Sequence, residues 1–229
     1  MGEGSAGGVP GAAGPPLRRL PFAEVRARLA ALPAELPEPP AALLPVRTDT
    51  GEMRPRTPLD PARVRPAAVL VLLYPDEAGE TRVVLTERVD RGGHHAGEVS
   101  FPGGSAESGE ASEQTALREA AEEVGLDAAA AGVAVLGVLP SFWIPVSGFL
   151  VSPVVAVAPR RPTMLASPDE VVRIVEPPLA AFLPEAPIET VEREVRGWSL
   201  RYGAYPVEDL RVWGATARVL GQLGALLGA

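Results

Sequence analysis

The sequence predicts a mixed α/β (α+β) fold, and three observations carry the prediction. Ala67–Tyr74 is a continuous apolar run bounded by Pro66 and Pro75, with the length of a buried strand. Further segments, Thr81–Arg88, Val133–Leu139, Phe149–Ala158 and Val171–Val175, are apolar and β-branched. Helical periodicity is confined to a few stretches that do not alternate regularly with these strands, which points to a mixed sheet.

Taken in order, residues 1–17 are dominated by glycine, alanine and proline and read as a disordered tail or linker. Leu20–Leu32 has a helical period through Leu20, Val25, Leu29 and Leu32. A proline-rich connector, Pro33–Pro45, follows, and Arg54–Pro66 reads as an extended lead-in. Residues 1–60 are thus expected to be an N-terminal helical and Pro-rich extension, and residues 61–229 the folded domain. Asp76–Glu80 turns the first strand into Thr81–Arg88 as a hairpin. Arg91–Gly97 is a polar loop holding His94 and His95, and Glu98–Phe101 leads into a glycine turn. Pro140–Gly148 reads as a loop carrying Phe142 and Trp143, and Pro178–Leu183 as a short helix. Ile188–Arg196 and Trp198–Tyr202 make a hairpin turning at Gly197, and Val212–Leu227 a final amphipathic helix with Trp213 in the core.

Gly103–Leu126 is the most informative stretch. It runs from a glycine turn through an acidic loop into a helix containing Arg118, Glu119, Glu122 and Glu123. At about 100° per residue the three glutamates share roughly 100° of arc, with Leu117, Ala120, Ala121 and Val124 opposite. Gly125 stands where a left-handed helix cap is expected. An acidic helix face is, on its own, usually a solvated one. Like charges three and four residues apart destabilise a helix unless compensated, and Mg²⁺ or Mn²⁺ suits carboxylate oxygens.

Composition removes other chemistries. The chain of 229 residues has no cysteine, so disulfides, thiolate nucleophiles and cysteine zinc sites are excluded. It also has no lysine, which excludes Schiff-base catalysis and a P-loop lysine. A net charge of −8 argues against nucleic-acid binding but not against a phosphate-bearing small molecule held through a cation. No apolar run is long enough to cross a membrane and the N-terminal stretch lacks a signal-peptide core, so the cytoplasm is the default location.

The spacing Gly104, five residues, Glu110, seven residues, Arg118-Glu119-Ala120-Ala121-Glu122-Glu123-Val124-Gly125-Leu126 resembles the Nudix hydrolase signature. Leu85-Thr86-Glu87-Arg88 with His95-Ala96-Gly97-Glu98-Val99-Ser100-Phe101-Pro102-Gly103-Gly104 resembles the additional motif of the coenzyme A pyrophosphatase subgroup. Pro145–Phe149, Val151-Ser152-Pro153 and Val212–Arg218 are similar to later segments of the same subgroup. Two positions depart from it: Val89 stands where Ser or Ala is usual, and Gly93 where an arginine is usual.

The resemblance implies a Nudix-type α/β/α sandwich and hydrolysis of a diphosphate bond with Mg²⁺ or Mn²⁺. It implies Glu119, Glu122, Glu123 and the Gly104 carbonyl as metal ligands, and Glu119, Glu122, Glu123 and Arg118 as catalytic residues, with Arg118 orienting a glutamate such as Glu110. Arg88, His95, Phe101, Gly103 and Gly104 are the expected substrate-binding residues. The implied substrate is a nucleoside diphosphate-linked compound, foremost coenzyme A or acyl-coenzyme A. ADP-ribose, NADH, other nucleotide diphosphates and a non-catalytic nucleotide sensor are the alternatives. A small-molecule partner is expected, nucleic acid and membrane are not, and a homodimer is left open.

Overall fold

The computed structural model describes residues 18–52, 64–89, 98–145, 147–195 and 198–229. The expected loop Arg91–Gly97 with His94 and His95, the tail 1–17 and the turn at Gly197 lie outside the described residues, as does most of the lead-in Arg54–Pro66.

The chain opens with helix α1 (Phe22–Leu29), a 3₁₀ turn at Ala41–Leu43 and the short strand β1 (Val46–Arg47). Strands β2 (Arg65–Pro75), β3 (Thr81–Val83), β4 (Leu85–Arg88), β5 (Val99–Ser100) and β6 (Gly103–Ser105) lead to helix α2 (Ser112–Val124). Then come β7 (Ala134–Val138), β8 (Phe142–Ile144), β9 (Phe149–Val157) and β10 (Val171–Val175). A 3₁₀ turn at Leu179–Phe182, β11 (Glu189–Val195), β12 (Trp198–Val207), β13 (Leu210–Trp213) and helix α3 (Gly214–Gly228) complete the described chain.

The central sheet is mixed, as its sequence pattern predicts. β2 runs parallel to β9 from Arg65↔Phe149 to Leu73↔Val157, and antiparallel to β3 and β6 at its two ends. On the far side of β9, β7 and β8 pair antiparallel. Successive side chains of a strand point to opposite faces. Ala68, Leu70, Leu72 and Tyr74 accordingly pack with Val154 and Ala156 against Ala116, Ala120 and Val124 of α2. Val71, Leu73, Val155 and Val157 pack on the other face with Leu220, Leu223 and Leu227 of α3. Helices therefore cover both faces of the sheet, an α/β/α arrangement. Each fully buried Leu or Val contributes roughly 1.5–3 kcal/mol, so these two layers dominate the stability.

The residues ahead of the central sheet join the α3 layer. Leu20, Val25, Leu29 and Leu43 are all buried in that cluster. Arg28 Nη1 donates to the carbonyl oxygens of Leu227 and Ala229 (2.7 and 3.2 Å) and so caps the end of α3.

The structure corrects several sequence expectations. Thr81–Arg88 is not one strand. Val84 N–H makes the last bond to β2, at Leu72 O (3.0 Å), and beyond it β6 occupies that edge. β4 therefore turns away and pairs with β5 and β10 in a separate three-stranded sheet. Pro140–Gly148 contains a strand, because Phe142, Trp143 and Ile144 pair with Val151, Leu150 and Phe149. The last helix begins at Gly214 and not at Val212, since Val212 and Trp213 pair with Tyr205 and Ala204 of β12. Trp213 is thus a partly exposed strand residue stacked on Tyr202 (ring centroids 4.7 Å apart), not a buried helix residue.

Candidate active site

Helix α2 starts without a side-chain oxygen at its N-cap; instead the Ala111 N–H is received by Gln114 Oε1 at 2.9 Å. It ends at Gly125 in the left-handed conformation (φ 62°, ψ 25°), as expected. Its acidic side is not uniformly solvated. Glu122 has a side chain 59% exposed, Glu119 15% and Glu123 only 1%.

Glu123 is held from two directions. Arg88 Nη1 on β4 lies 2.9 Å from its Oε1, and the Gly103 N–H donates to its Oε2 at 3.0 Å. Burial pushes the Glu123 carboxyl above the usual range, opposed by Arg88 and the Gly103 N–H. Burial likewise pushes up Glu119, opposed by Arg118, while Glu122 and Glu170 add to the rise. Two desolvated carboxyls thus stand one helical turn apart, each paired with one arginine.

The glycine turn is fitted to these carboxylates. A Cβ on Gly104 would stand 2.5 Å from the Glu119 carboxylate carbon, so only glycine leaves that position free. A Cβ on Gly103 would stand 2.4 Å from Ala68 O, which would force β6 off β2 and move the N–H that reaches Glu123.

Arg118 organises the acidic loop. Its Nε and Nη2 pair with both oxygens of Glu110 (2.8 and 3.1 Å), and Nη2 also donates to Ser105 O (3.0 Å). Nη1 lies between Glu119 (3.1 Å) and Glu122 (3.2 Å). Glu110 also accepts from Thr115 Oγ1 and the Glu107 N–H, both at 2.9 Å. Arg118 first, and then the Glu107 N–H, hold the Glu110 carboxyl down to about 2.

The expected site residues fall into distinct places. Glu119, Glu123, Arg118, Gly103, Gly104 and Arg88 converge where α2, β4 and β6 meet. Phe101 is buried in the α3-side core. His95 lies outside the described residues. Sequence reading missed Glu170, which raises the Glu119 carboxyl electrostatically. Its carbonyl accepts the Val89 N–H (3.0 Å), which seats it beside the end of β4. Lying far along the chain and directly before a strand, it offers no local signal beyond being a loop carboxylate.

The donor set fits a hard divalent cation: the largely buried Glu119 and Glu123 carboxylates, Glu122 alongside, and a bare glycine backbone below. Among the described residues, no three acidic or histidine side chains already stand in ligating geometry, since Arg118 draws Glu122 and Glu119 to itself.

Comparison with known proteins shows the family. A sequence model of the NUDIX domain matches residues 64–211. Proteins named "Uncharacterized Nudix hydrolase NudL" from Salmonella newport (strain SL254) and Salmonella agona (strain SL483) are each 38% identical over 177 residues, covering 77% of this chain and 90% of theirs. Among solved structures, the Nudix hydrolase RenU from M. smegmatis is 22% identical with a TM-score of 0.45, over 60% of this chain and 80% of that one. A C. elegans Ap4A hydrolase is 19% identical with a TM-score of 0.43, over 50% and 80%. With the domain match and the Salmonella relatives spanning most of the chain, the protein belongs to the Nudix hydrolase family.

Proposed function

We propose that this enzyme hydrolyses the diphosphate bond of a nucleoside diphosphate-linked compound, with coenzyme A or an acyl-coenzyme A as substrate. The products are a phosphopantetheine and adenosine 3′,5′-bisphosphate. The observation that carries the hydrolase site is the buried Glu123, fixed between Arg88 and the Gly103 N–H beside a Glu119 carboxylate seated over Gly104. The coenzyme A assignment is supported by the subgroup-like segments Leu85–Arg88 and Val99–Gly104, which supply β4, β5 and β6 around that carboxylate.

Glu119, Glu122, Glu123 and the Gly104 carbonyl would hold Mg²⁺ or Mn²⁺, which would supply positive charge against the diphosphate oxygens. Arg118 keeps the acidic loop and the Glu119 carboxylate in place. Glu170, whose charge adds to the rise of the Glu119 carboxyl, is a further carboxylate beside the site. Arg88 locks Glu123 and, at the mouth of the site, contacts a substrate phosphate with its remaining donors.

The test is product analysis after incubation with coenzyme A, ADP-ribose and NADH, with Mg²⁺ or Mn²⁺, for wild type and Glu123→Gln. Release of adenosine 3′,5′-bisphosphate by wild type and its loss in Glu123→Gln supports the reading. Preferential cleavage of ADP-ribose or NADH moves the substrate, and undiminished turnover in Glu123→Gln refutes the site.

A further inference from the structure

We infer that Thr86 is a positioning residue for Glu123. Its buried hydroxyl clasps β4 to β5 and so sets the spacing of the two groups that hold this carboxylate, Arg88 and the Gly103 N–H. The assignment rests on the diphosphate-hydrolase function proposed above and deepens it.

The two holders of Glu123 come from different sheets. Arg88 ends β4, in the three-stranded sheet of β10, β4 and β5. Gly103 begins β6 and stands opposite Val69 in the central sheet. Arg88 Nη1 and the Gly103 N–H nevertheless reach the two oxygens of one carboxylate, at 2.9 and 3.0 Å. Only Phe101 and Pro102 separate β5 from β6, and the Pro102 carbonyl accepts the Leu70 N–H of β2 (2.8 Å). The end of β5 is thereby anchored to the central sheet. Where Arg88 stands relative to Gly103 then depends on how β4 sits on β5.

That ladder is short. It pairs Thr86 with Ser100 and Glu87 with Val99, and the Arg88 N–H adds a bond to the Glu98 carbonyl (3.1 Å). Leu85 and Val99 pack in the α3-side core, while Ile174, opposite Thr86 on β10, packs with the α2-side core. Thr86, its partner Ser100 and Arg88, two residues on, therefore share the face turned to α2 and Glu123.

Thr86 is fully buried, and the three residues before it, Val83, Val84 and Leu85, are buried and apolar. Its Oγ1 lies 3.2 Å from the Ser100 carbonyl oxygen and 3.3 Å from Ser100 Oγ. A hydroxyl has one proton, so as Thr86 donates to the carbonyl it accepts from the Ser100 hydroxyl. The pair closes a two-bond clasp between the strands, two residues from Arg88. A valine has the same shape and needs no partner, and a neutral hydrogen bond adds little net stability over it. What the hydroxyl adds is direction: it is satisfied in one placement of β4 on β5, where an apolar side chain tolerates neighbouring ones.

The experiment compares wild type with Thr86→Val, Thr86→Ser and a control, Thr81→Val. Thr81 is also buried, and its hydroxyl donates to the Leu20 carbonyl (2.8 Å) on β3, at the other end of β2 from β6. Activity is measured on whichever of coenzyme A, ADP-ribose and NADH the wild type cleaves. Thr86→Val is expected to lower kcat per folded molecule about 10- to 100-fold with KM nearly unchanged, the loss typical of a partner that orients a ligating side chain. Thr86→Ser restores most of it, and Thr81→Val keeps the wild-type kcat. A wild-type kcat in Thr86→Val, or the same fall in Thr86→Ser or Thr81→Val, overturns the assignment. A second comparison needs neither substrate nor metal. Without divalent ions, Arg88→Ala should shift the urea midpoint less in a Thr86→Val background than in wild type, because the loosened strand has already weakened the Arg88–Glu123 pair. A shift as large or larger overturns the assignment too. If wild type cleaves none of the three compounds, the proposed function has failed and this second comparison alone decides: the smaller shift sustains the positioning role, and an equal or larger one overturns it.

Discussion

Arg88 Nη1 lies 2.9 Å from Glu123 Oε1, joining β4 to α2 across 35 residues of sequence, and Glu123 is the more deeply buried partner. The ion pair sits at the junction of two separate sheets and the acidic helix. Removing the cation leaves a carboxylate with one backbone N–H and no counter-charge in a dry place.

Arg88→Ala is therefore expected to destabilise the metal-free protein by about 1–3 kcal/mol, less than a fully buried pair because Arg88 is 35% exposed. Denaturant unfolding without divalent ions measures this. Arg88→Ala with Glu123→Gln should recover much of the loss; if the double variant is no more stable than Arg88→Ala alone, the buried charge is not what costs.

Gly104→Ala places a methyl group in the space of the Glu119 carboxylate. The carboxylate must swing away, and displacement of about 1 Å at a reacting site costs on the order of 10² in rate. The expected outcome is a fall in kcat of that size. Gly109→Ala is the control: its Cβ meets nothing within 4 Å, though its φ of 85° makes the change cost roughly 1 kcal/mol of stability. Equal kcat for the two variants contradicts the geometry.

Mg²⁺ or Mn²⁺ should raise Tm, because the fold gathers Glu119, Glu122 and Glu123 on one side of α2, which the unfolded chain does not. At a metal concentration about 100 times Kd the gain is roughly 2.7 kcal/mol. Differential scanning fluorimetry checks this, with Glu119→Gln and Glu123→Gln losing most of the shift. A shift of the same size in both variants would place the cation elsewhere.

Tyr205 is fully buried, its hydroxyl has no hydrogen-bond partner among the described residues, and burial pushes its pKa up to about 12. A folded-state pKa above the unfolded value of about 10 gives stability that is fully present below pH 10 and lost as pH rises through 12. Tyr205→Phe should remove this alkaline component and be neutral or stabilising by up to about 1 kcal/mol at pH 7, since it deletes an unpaired buried hydroxyl. Unfolding curves at pH 7 and pH 11 for both proteins provide the comparison.

Leu29 on α1 is fully buried against the α3 layer. Leu29→Ala is expected to cost about 2–5 kcal/mol, as for other core leucines. Chemical denaturation followed by tryptophan fluorescence measures it. A loss below 1 kcal/mol would mean that α1 is only loosely docked.

Glu119, Glu122 and Glu123 were legible as one side of a helix from their spacing, and Gly104, Glu110 and Arg118 from the resemblance to the Nudix signature. The strands β2, β7, β9 and β10 were legible for a similar reason, as apolar runs bounded by turn residues. The break at Val84 was not, since competition between β4 and β6 for one edge of β2 is decided by a segment some 20 residues further along. Glu170, the partner of Arg88 and the pairing of Arg65 with Phe149 were equally hidden, each depending on contacts between distant segments. By itself the sequence determined the fold class and the acidic side of one helix, because local periodicity and spacing carry them, and its resemblance pointed to the family. Only the tertiary structure decided that Glu123 is dry while Glu122 is wet, and which arginines stand beside which carboxylates, because burial and long-range charge arise only when the two helical layers close on the sheet.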